Sequence, residues 1–405
     1  MPAGRICDVL VVGAGPAGMA AACAAREQQS SRSVVAVLDD NPAAGGQIWR
    51  GESSGVWFDR LRSSGAELVS GTRLLARLGP QRLLTEAGEI GFKQLILATG
   101  ARERFLPFPG WTLPGVMGAG GLQAMAKGGM PIEGKRVVVA GTGPLLLAVA
   151  AYLKQHGAQV LHIAEQTPFR KLRLFGRALL GEPSKMAQGA GLGWRLAGTP
   201  FRTSSWPVRV DGAGKLESVT LNSGRRLECD YLACGFGLVP NTELAALCAC
   251  RIDSGAVAID RWQQTSQPNI YAAGEVTGIG GVDAALIEGQ IAGYATTGQR
   301  AQAEALFPAR DRALRFRRVM ETTFTLRPEL SQLAAADTIV CRCEDVTLGS
   351  LREQRSWRSA KLQTRCGMGP CQGRVCGPAV EHLLGWPAES VRPPLFPTSA
   401  SNLAR

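Results

Sequence analysis

Histidine is almost missing from this chain: three occur in 405 residues, and aromatic side chains make up only 6%. His156 precedes Gly157 at an expected helix end, His162 falls within an expected strand and His382 within an expected C-terminal helix. None has an acid beside it in a recognisable motif, so each reads as structural. No catalytic constellation is expected apart from bound redox groups. The chain also lacks any run near the ~18 consecutive apolar residues that a membrane span needs. Its alanine-rich N-terminal stretch is broken by Gly13, Gly15, Pro16 and Gly18 and has no basic leader feeding an unbroken apolar segment. The expectation is a cytoplasmic protein without a membrane span. The 50 glycines show no three-residue period, which excludes a collagen-like fibre. A formal charge of +12, mainly arginine, is spread along the chain instead of gathered in one block. It reads as a solvated basic surface and not as a nucleic-acid footprint.

What is present is enough apolar residue, 45%, for sizeable cores, in a length that fits two to three domains. Asp8-Val9-Leu10-Val11-Val12 is a short β-branched run, the mark of a strand buried on both faces. Gly13-Ala14-Gly15-Pro16-Ala17-Gly18 follows, then an alanine-rich helix to about Glu27. A second strand, Val34 to Leu38, ends in Asp39, 21 residues beyond the third glycine. Each part has a physical task. Gly13 permits the tight turn, Gly15 lets backbone approach a pyrophosphate, and Gly18 lets helix and strand pack closely. The helix start offers unpaired N–H groups to phosphate, and Asp39 can accept from ribose hydroxyls.

A second such unit runs Arg136 to Ala140, Gly141-Thr142-Gly143-Pro144-Leu145-Leu146, an apolar helix over 145–155, and a strand Val160 to Ala164 closed by Glu165. Leu146 occupies the third glycine position. This unit reads equally as a nucleotide site, with Glu165 on a ribose, or as a nucleotide fold that has lost its ligand. Two more pieces belong with the first unit: Leu95 to Ala98 running into Thr99-Gly100, and a strand at Tyr271 ending in Gly274-Glu275 before Gly281 and a helix from Val282. A strand end, an acid and a helix start together suit phosphate and sugar hydroxyls.

In this order the four pieces resemble the two-dinucleotide-fold flavoprotein reductases, over residues 6 to about 297. The resemblance implies an FAD site in the first fold built by Gly13, Gly15, Pro16, Ala17, Gly18, Asp39, Asp40, Gly46, Gln47, Thr99, Gly100, Gly274, Glu275 and Gly281. The family usually has Asp where this chain has Glu275, which implies contacts to the ribityl–pyrophosphate region shifted by one methylene. Members that use a pyridine nucleotide normally keep the third glycine that Leu146 replaces. Disulphide reductases of this shape carry a Cys-x2-Cys or Cys-x4-Cys pair facing the flavin. The close pairs before residue 330 are Cys229/Cys234 and Cys248/Cys250. The first straddles an expected strand with opposite parity, which would send its thiols to opposite faces. Both pairs read as structural.

Five of the eleven cysteines lie between 341 and 376: Cys341, Cys343, Cys366, Cys371 and Cys376. Cys341/Cys343 and Cys371/Cys376 make two close pairs, as four thiolates around a cluster require. Glycines 367, 369 and 373 let amides approach sulphur. Zinc is the rival occupant, although a Cys-x-Cys pair suits it less well than a longer knuckle; unligated thiols are the third reading. The segment resembles the bacterioferritin-associated-ferredoxin-like [2Fe–2S] domain, in its Cys-x-Cys and Gly-Met-Gly-Pro-Cys-Gln-Gly-x-x-Cys pattern. That resemblance implies Cys341, Cys343, Cys371 and Cys376 as ligands and leaves Cys366 as a spare.

Together with the stretches Asp39 to Arg50 and Ala140 to Ala150, the chain resembles the α subunits of heteromeric amine and imino-acid dehydrogenases, a family including opine oxidases, hydroxyproline and proline dehydrogenases, and hydrogen cyanide synthase. The implied fold is α/β: two Rossmann-like FAD/NAD(P)-binding domains with a small C-terminal [2Fe–2S]-binding domain. The implied boundaries are 1–110 with 245–298 for the FAD domain and 111–244 for the inserted second domain. A helical linker over 299–335, the cluster domain over 336–395 and a tail over 396–405 complete the division. The implied activity is that of one subunit in an FAD-dependent oxidoreductase that acts on CH–NH or CH–NH2 donors. It would pass electrons from a β subunit that carries its own FAD and is glycine- or sarcosine-oxidase-like. Some complexes add an FMN at a subunit interface and a small ferredoxin-like γ subunit. Two other functions remain open at this point: a self-contained NAD(P)H-dependent reductase, and a non-enzymatic iron–sulphur regulatory protein. The stretch from Pro168 to Gly198 is either a partner-contacting segment or a helical insertion with a solvated basic face.

Overall fold

The structure is a computed structural model that describes residues 5–30, 32–388 and 391–403. It divides into two compact units, one of residues 1–102, 239–317 and 390–405, the other of residues 103–238 and 318–389. These divisions differ from the boundaries read from sequence at 110/111, 244/245 and 298/299. Residues 299–335, read as a helical linker, hold helices Arg300–Ala305 and Phe307–Thr323 and are divided between the units at 317/318. The cysteine segment belongs to the same unit as the second nucleotide-type fold.

In the first unit the strand Arg5–Val12 lies between Val35–Leu38 and Gly88–Leu97, parallel to both. Ile270–Ala272 pairs parallel with the end of Gly88–Leu97, at Leu95 to Leu97. Burial on both faces follows from the unbroken Val/Leu/Ile runs. The helix Pro16–Arg26 starts on a proline, which loses nothing at a position whose N–H has no helical partner, and buries nine residues. Its alanines permit very close packing on the helix Val282–Thr296. A Cβ at Gly289 would stand 2.2 Å from the Ala17 carbonyl oxygen, and one at Gly293 2.3 Å from that of Ala21. Leu395, assigned from sequence to the cluster domain, instead donates its amide to Leu75 O at 2.7 Å and is buried in this unit's core.

In the second unit the strands Phe201–Thr203, Gln159–Glu165, Arg136–Gly141, Tyr231–Gly235 and Val116–Gly118 form a parallel sheet in that order. A three-stranded antiparallel sheet, Pro207–Asp211, Ser218–Leu221 and Arg226–Glu228, belongs to the same unit. The cysteine segment has its own small core, in which Val340, Leu348, Leu351, Trp357 and Val380 surround buried thiols. The Trp111 indole N–H donates to Ile339 O at 2.6 Å and ties this segment to the second fold.

Candidate functional site

In the first fold, Gly13 has φ +107°, and a Cβ there would lie 2.2 Å from the Ala98 carbonyl oxygen. At Gly18 a Cβ would meet the Gly13 carbonyl at 1.7 Å. Only glycine fits either place. Gly15 faces Gly46 across the loop: a Cβ on Gly46 would come within 3.0 Å of the Gly15 Cα. Asp39 is buried and its carboxylate accepts from the Ala14 amide and, at 2.7 Å, from the Asn41 amide. It thereby fixes the turn at the strand end. Asp40 is exposed beside it, and Gln47 accepts from Arg50 Nε at 3.2 Å.

Thr99 and Gly100 are clamped by Asn241. The Thr99 hydroxyl donates to Asn241 O at 2.7 Å, Asn241 Nδ2 donates to Thr99 O at 2.9 Å, and the Asn241 amide donates to Gly100 O at 3.0 Å. Glu275 is turned towards its own chain: Oε1 accepts from the amides of Gly280 at 3.2 Å and Gly281 at 2.7 Å. The extra methylene lets the carboxylate reach the start of the following helix, where the amides have no helical partner. Sequence reading missed Glu288. It is buried, and Oε2 accepts from the Gly274 amide at 2.8 Å and the Thr277 hydroxyl at 2.9 Å. Its sole signal was a second acid, after Asp283, in a largely apolar helix. Arg317 was also missed. It donates to Thr277 O at 2.9 Å and lies over Gly278, bringing a cation to the same helix start. Burial pushes both Glu275 and Glu288 above the usual carboxylate range, with Arg317 opposing.

The second fold repeats the motif with a different surrounding. Glu165 Oε2 accepts from the Gly143 amide at 2.8 Å, and Oε1 accepts from the Thr167 amide at 2.8 Å and the Thr142 hydroxyl at 3.1 Å. Leu146 is buried in one core with Val137, Val139, Val149 and Ile163, so this helix packs through a side chain where the first packs against backbone. A segment after Thr323 then crosses the loop. Phe324 is 4.0 Å from where a Gly143 Cβ would stand, and it meets Phe175 edge-on at 5.1 Å. Gln166 Nε2 donates to Thr325 O at 3.3 Å, while its Oε1 accepts from the Arg327 amide at 3.2 Å. The Arg327 guanidinium lies 4.9 Å from the Trp206 ring centre.

The C-terminal segment gathers its thiols. The sulphurs of Cys341, Cys366 and Cys376 lie within 4.8 Å of one another, and all three residues are buried. Cys371 is half-buried and in hydrogen-bonding contact with Cys376 and Cys343; Cys343 is exposed. Cys366, set aside from sequence, is therefore inside the group. Thiol donors Cys366 and Cys376, with the amides of Gly367 and Glu344, hold Cys341 far below the usual thiol range. Cys371 is pulled down to about 5 by Cys376 and by the amides of Val375 and Gly373. Cys366 is pushed up to about 12, chiefly as the donor to Cys341. Convergent thiols with amides aimed at sulphur are a donor set that suits an iron–sulphur cluster. A tetrahedral zinc site would use the same thiols.

The other cysteines behave differently. Burial pushes Cys229 and Cys248 up to about 12 and raises Cys234 and Cys250 as well, and all four thiols are free. Cys229 and Cys234 share one core instead of facing opposite sides, and only Cys234 falls within the strand, Tyr231–Gly235, so strand alternation does not relate them. His162 lies in the strand Gln159–Glu165 and His382 in the helix Cys376–Leu384, as their surroundings in sequence suggest. His156 Nδ1 bonds Tyr152 O at 2.8 Å, and burial lowers His162 and His382.

Paired Rossmann-type folds, a tight glycine loop at the start of the first helix and a group of convergent thiols define the class: a flavoprotein oxidoreductase. Residues 7–305 match the family described as pyridine nucleotide-disulphide oxidoreductase, and the chain belongs to that family. It is 35% identical to the HcnB component of hydrogen cyanide synthase from Pseudomonas aeruginosa, over 91% of this chain and 90% of that protein. It is 33% identical to one of the opine oxidase subunits of Rhizobium meliloti, over 98% of each. The L-proline dehydrogenase structure from P. horikoshii shares the fold, with a TM-score of 0.69 over 100% of this chain and 81% of that one, at 20% identity. Among the described residues no helix is long and apolar enough to cross a membrane.

Proposed function

We propose that this chain is the electron-transferring α subunit of a heteromeric dehydrogenase whose partner β subunit oxidises a C–N bond of an amino or imino acid. The observation that carries the reading is the contrast between the two phosphate loops. Each loop is braced by the acid that ends its second strand, Asp39 or Glu165; the first is lined by Gly13, Gly15 and Gly46 and suits FAD, whereas the second is crossed by Phe324 to Arg327. A chain with one usable dinucleotide site and a thiol centre needs an electron donor other than a nicotinamide. The relatives named as subunits of hydrogen cyanide synthase and opine oxidase support a partner of this kind.

In this reading Gly13, Gly15, Pro16, Ala17 and Gly18 receive the pyrophosphate, Asp39 and Asp40 face the adenosine ribose, and Gly46, Gln47, Thr99 and Gly100 close around the dinucleotide. Gly274, Glu275 and Gly281 form the far side of the site, and Arg317 adds a positive charge for phosphate. Glu288 holds Gly274 in place. The cysteine segment holds the [2Fe–2S] cluster, with Cys341, Cys343, Cys371 and Cys376 as its ligands. When bound, these groups supply two-electron and one-electron carrier chemistry. Compatible additions are an FMN at the interface with the β subunit, and a ferredoxin-like γ subunit.

The partner's docking face is the helical pair Phe169–Ala178 and Pro183–Arg195, neither of which buries a residue. Phe169, Leu180 and Trp194 are 66%, 68% and 83% exposed, more apolar surface than a stand-alone helical insertion needs. The test is to purify the chain by itself and with its β subunit, identify the released cofactors, and offer amino and imino acids and NAD(P)H in turn. Flavin and iron should be present, with turnover only in the complex. Rapid bleaching of the isolated chain by NADH or NADPH would overturn the reading in favour of a self-contained reductase. A chain with iron but no flavin would favour a regulatory role.

A further inference from the structure

We infer that Cys366 is a stand-in ligand of the C-terminal centre, placed to take over the position of Cys343 when that exposed cysteine is lost. This rests on the iron–sulphur reading above, in which Cys366 has no task.

The geometry around Cys366 is constructed. The helix Trp357–Thr364 is capped through its Ser356 hydroxyl and ends at Arg365, whose φ of +63° turns the chain inward. Cys366 follows at once, wholly buried. Gly367, at φ +76°, lies against Trp357, where a Cβ would come within 2.8 Å of the indole ring. That contact fixes the backbone after Cys366 and leaves its sulphur within 4.8 Å of Cys341 and Cys376. Sulphurs bound about 2.3 Å from a common metal stand about 3.8 Å apart, so Cys366 needs only a small movement to share an iron with either.

Cys343 is placed differently. It is exposed, and the loop that follows Cys366 presses on it: a Cβ at Gly369 would lie 2.3 Å from the Cys343 Cβ. Arg365 Nε donates to Glu344 at 2.8 Å, joining the backbone on either side of the two cysteines. Cys343 is the ligand that solvent reaches, and the buried Cys366 already lies beside Cys341 and Cys376. In the exchange one iron–sulphur bond to Cys343 breaks and one to Cys366 forms. The Cys366 proton passes to the departing thiolate, and no electrons move.

The test uses the full chain with iron, acid-labile sulphide and the electron paramagnetic resonance spectrum of the reduced protein as readouts. Circular dichroism and elution volume check that each variant folds. Cys343→Ser should keep iron and sulphide near the wild-type content with a shifted resonance spectrum, and Cys343→Ser/Cys366→Ser should lose both. If Cys343→Ser alone empties a folded protein, or if the double variant keeps as much iron as the single, the inference is overturned. Loss of the cluster from Cys366→Ser alone would overturn it too, since that would make Cys366 an ordinary ligand. Wild-type protein without iron would instead sink the iron–sulphur reading itself.

Discussion

The two glycine loops of this protein begin from nearly the same residues, Gly13-Ala-Gly15 and Gly141-Thr-Gly143, and acquire different surroundings. At the first, the third position must be glycine because a Cβ would meet backbone at 1.7 Å. At the second, a whole leucine fits, buried in a core of valines and isoleucine. At the first loop Gly15 faces another glycine, Gly46; over the second runs a segment carrying Phe324 and Arg327. A phosphate-loop motif therefore reports the turn it encodes, and the residues that cover the turn decide whether a ligand can use it.

The largest expected effect lies in the first loop. Gly18→Val should abolish flavin retention and lower soluble yield, because the added carbons have no space between helix and strand; overpacking of this kind costs about 1–3 kcal/mol or more. Cofactor released by heat and measured by absorbance checks it, and a Gly18→Val protein with full flavin would break the comparison.

The mirror change, Leu146→Gly, should destabilise the second unit by about 2–5 kcal/mol through the cavity it leaves. It should not create NADH oxidation, because the Phe324–Arg327 segment remains over the loop. Guanidinium unfolding and stopped-flow absorbance are the two measurements, and rapid flavin bleaching by NADH in this variant would show that the leucine alone closed the site.

Phe324→Ala should cost less, about 1 kcal/mol from the lost edge-on aromatic contact. Its use is to sharpen the contrast. Binding of NADH to this variant, seen by calorimetry and absent in the parent, would identify the crossing segment as the main barrier.

The smallest effect is a pH dependence. Burial raises Glu288 above the ordinary glutamate value in the folded protein, so the folded state holds its proton more tightly than the unfolded chain does. Its stabilising contribution is complete below the unfolded value and is lost as pH rises through the folded one. Glu288→Gln keeps an acceptor for the Gly274 amide and should flatten the fall in melting temperature above about pH 4.5. Glu165 and Glu275, raised in the same direction, should leave a residual slope. A variant with an unaltered pH profile would show that Glu288 does not titrate in this range.

Much of this was legible because it depends on local chain chemistry. Hydrophobic runs, glycine spacing and the terminal acid located both βαβ units, with the helix Pro16–Arg26 ending one residue before the expected Glu27. Proximity across long sequence separations was not legible. Glu288 under Gly274, Asn241 on Thr99, Phe324 over Gly143 and Cys366 beside Cys341 are each set by how distant segments pack. Nor could periodicity show that Leu395 leaves the cysteine segment to join the first core.

By itself, then, the sequence determined that two phosphate-type turns and a thiol-rich segment exist, since turn geometry and sulphur chemistry reside in the residues concerned. The tertiary structure alone decided which segments lie against each turn and which thiols meet. Covering and contact are properties of the neighbours a residue acquires on folding, and those neighbours come from parts of the chain that no local pattern connects.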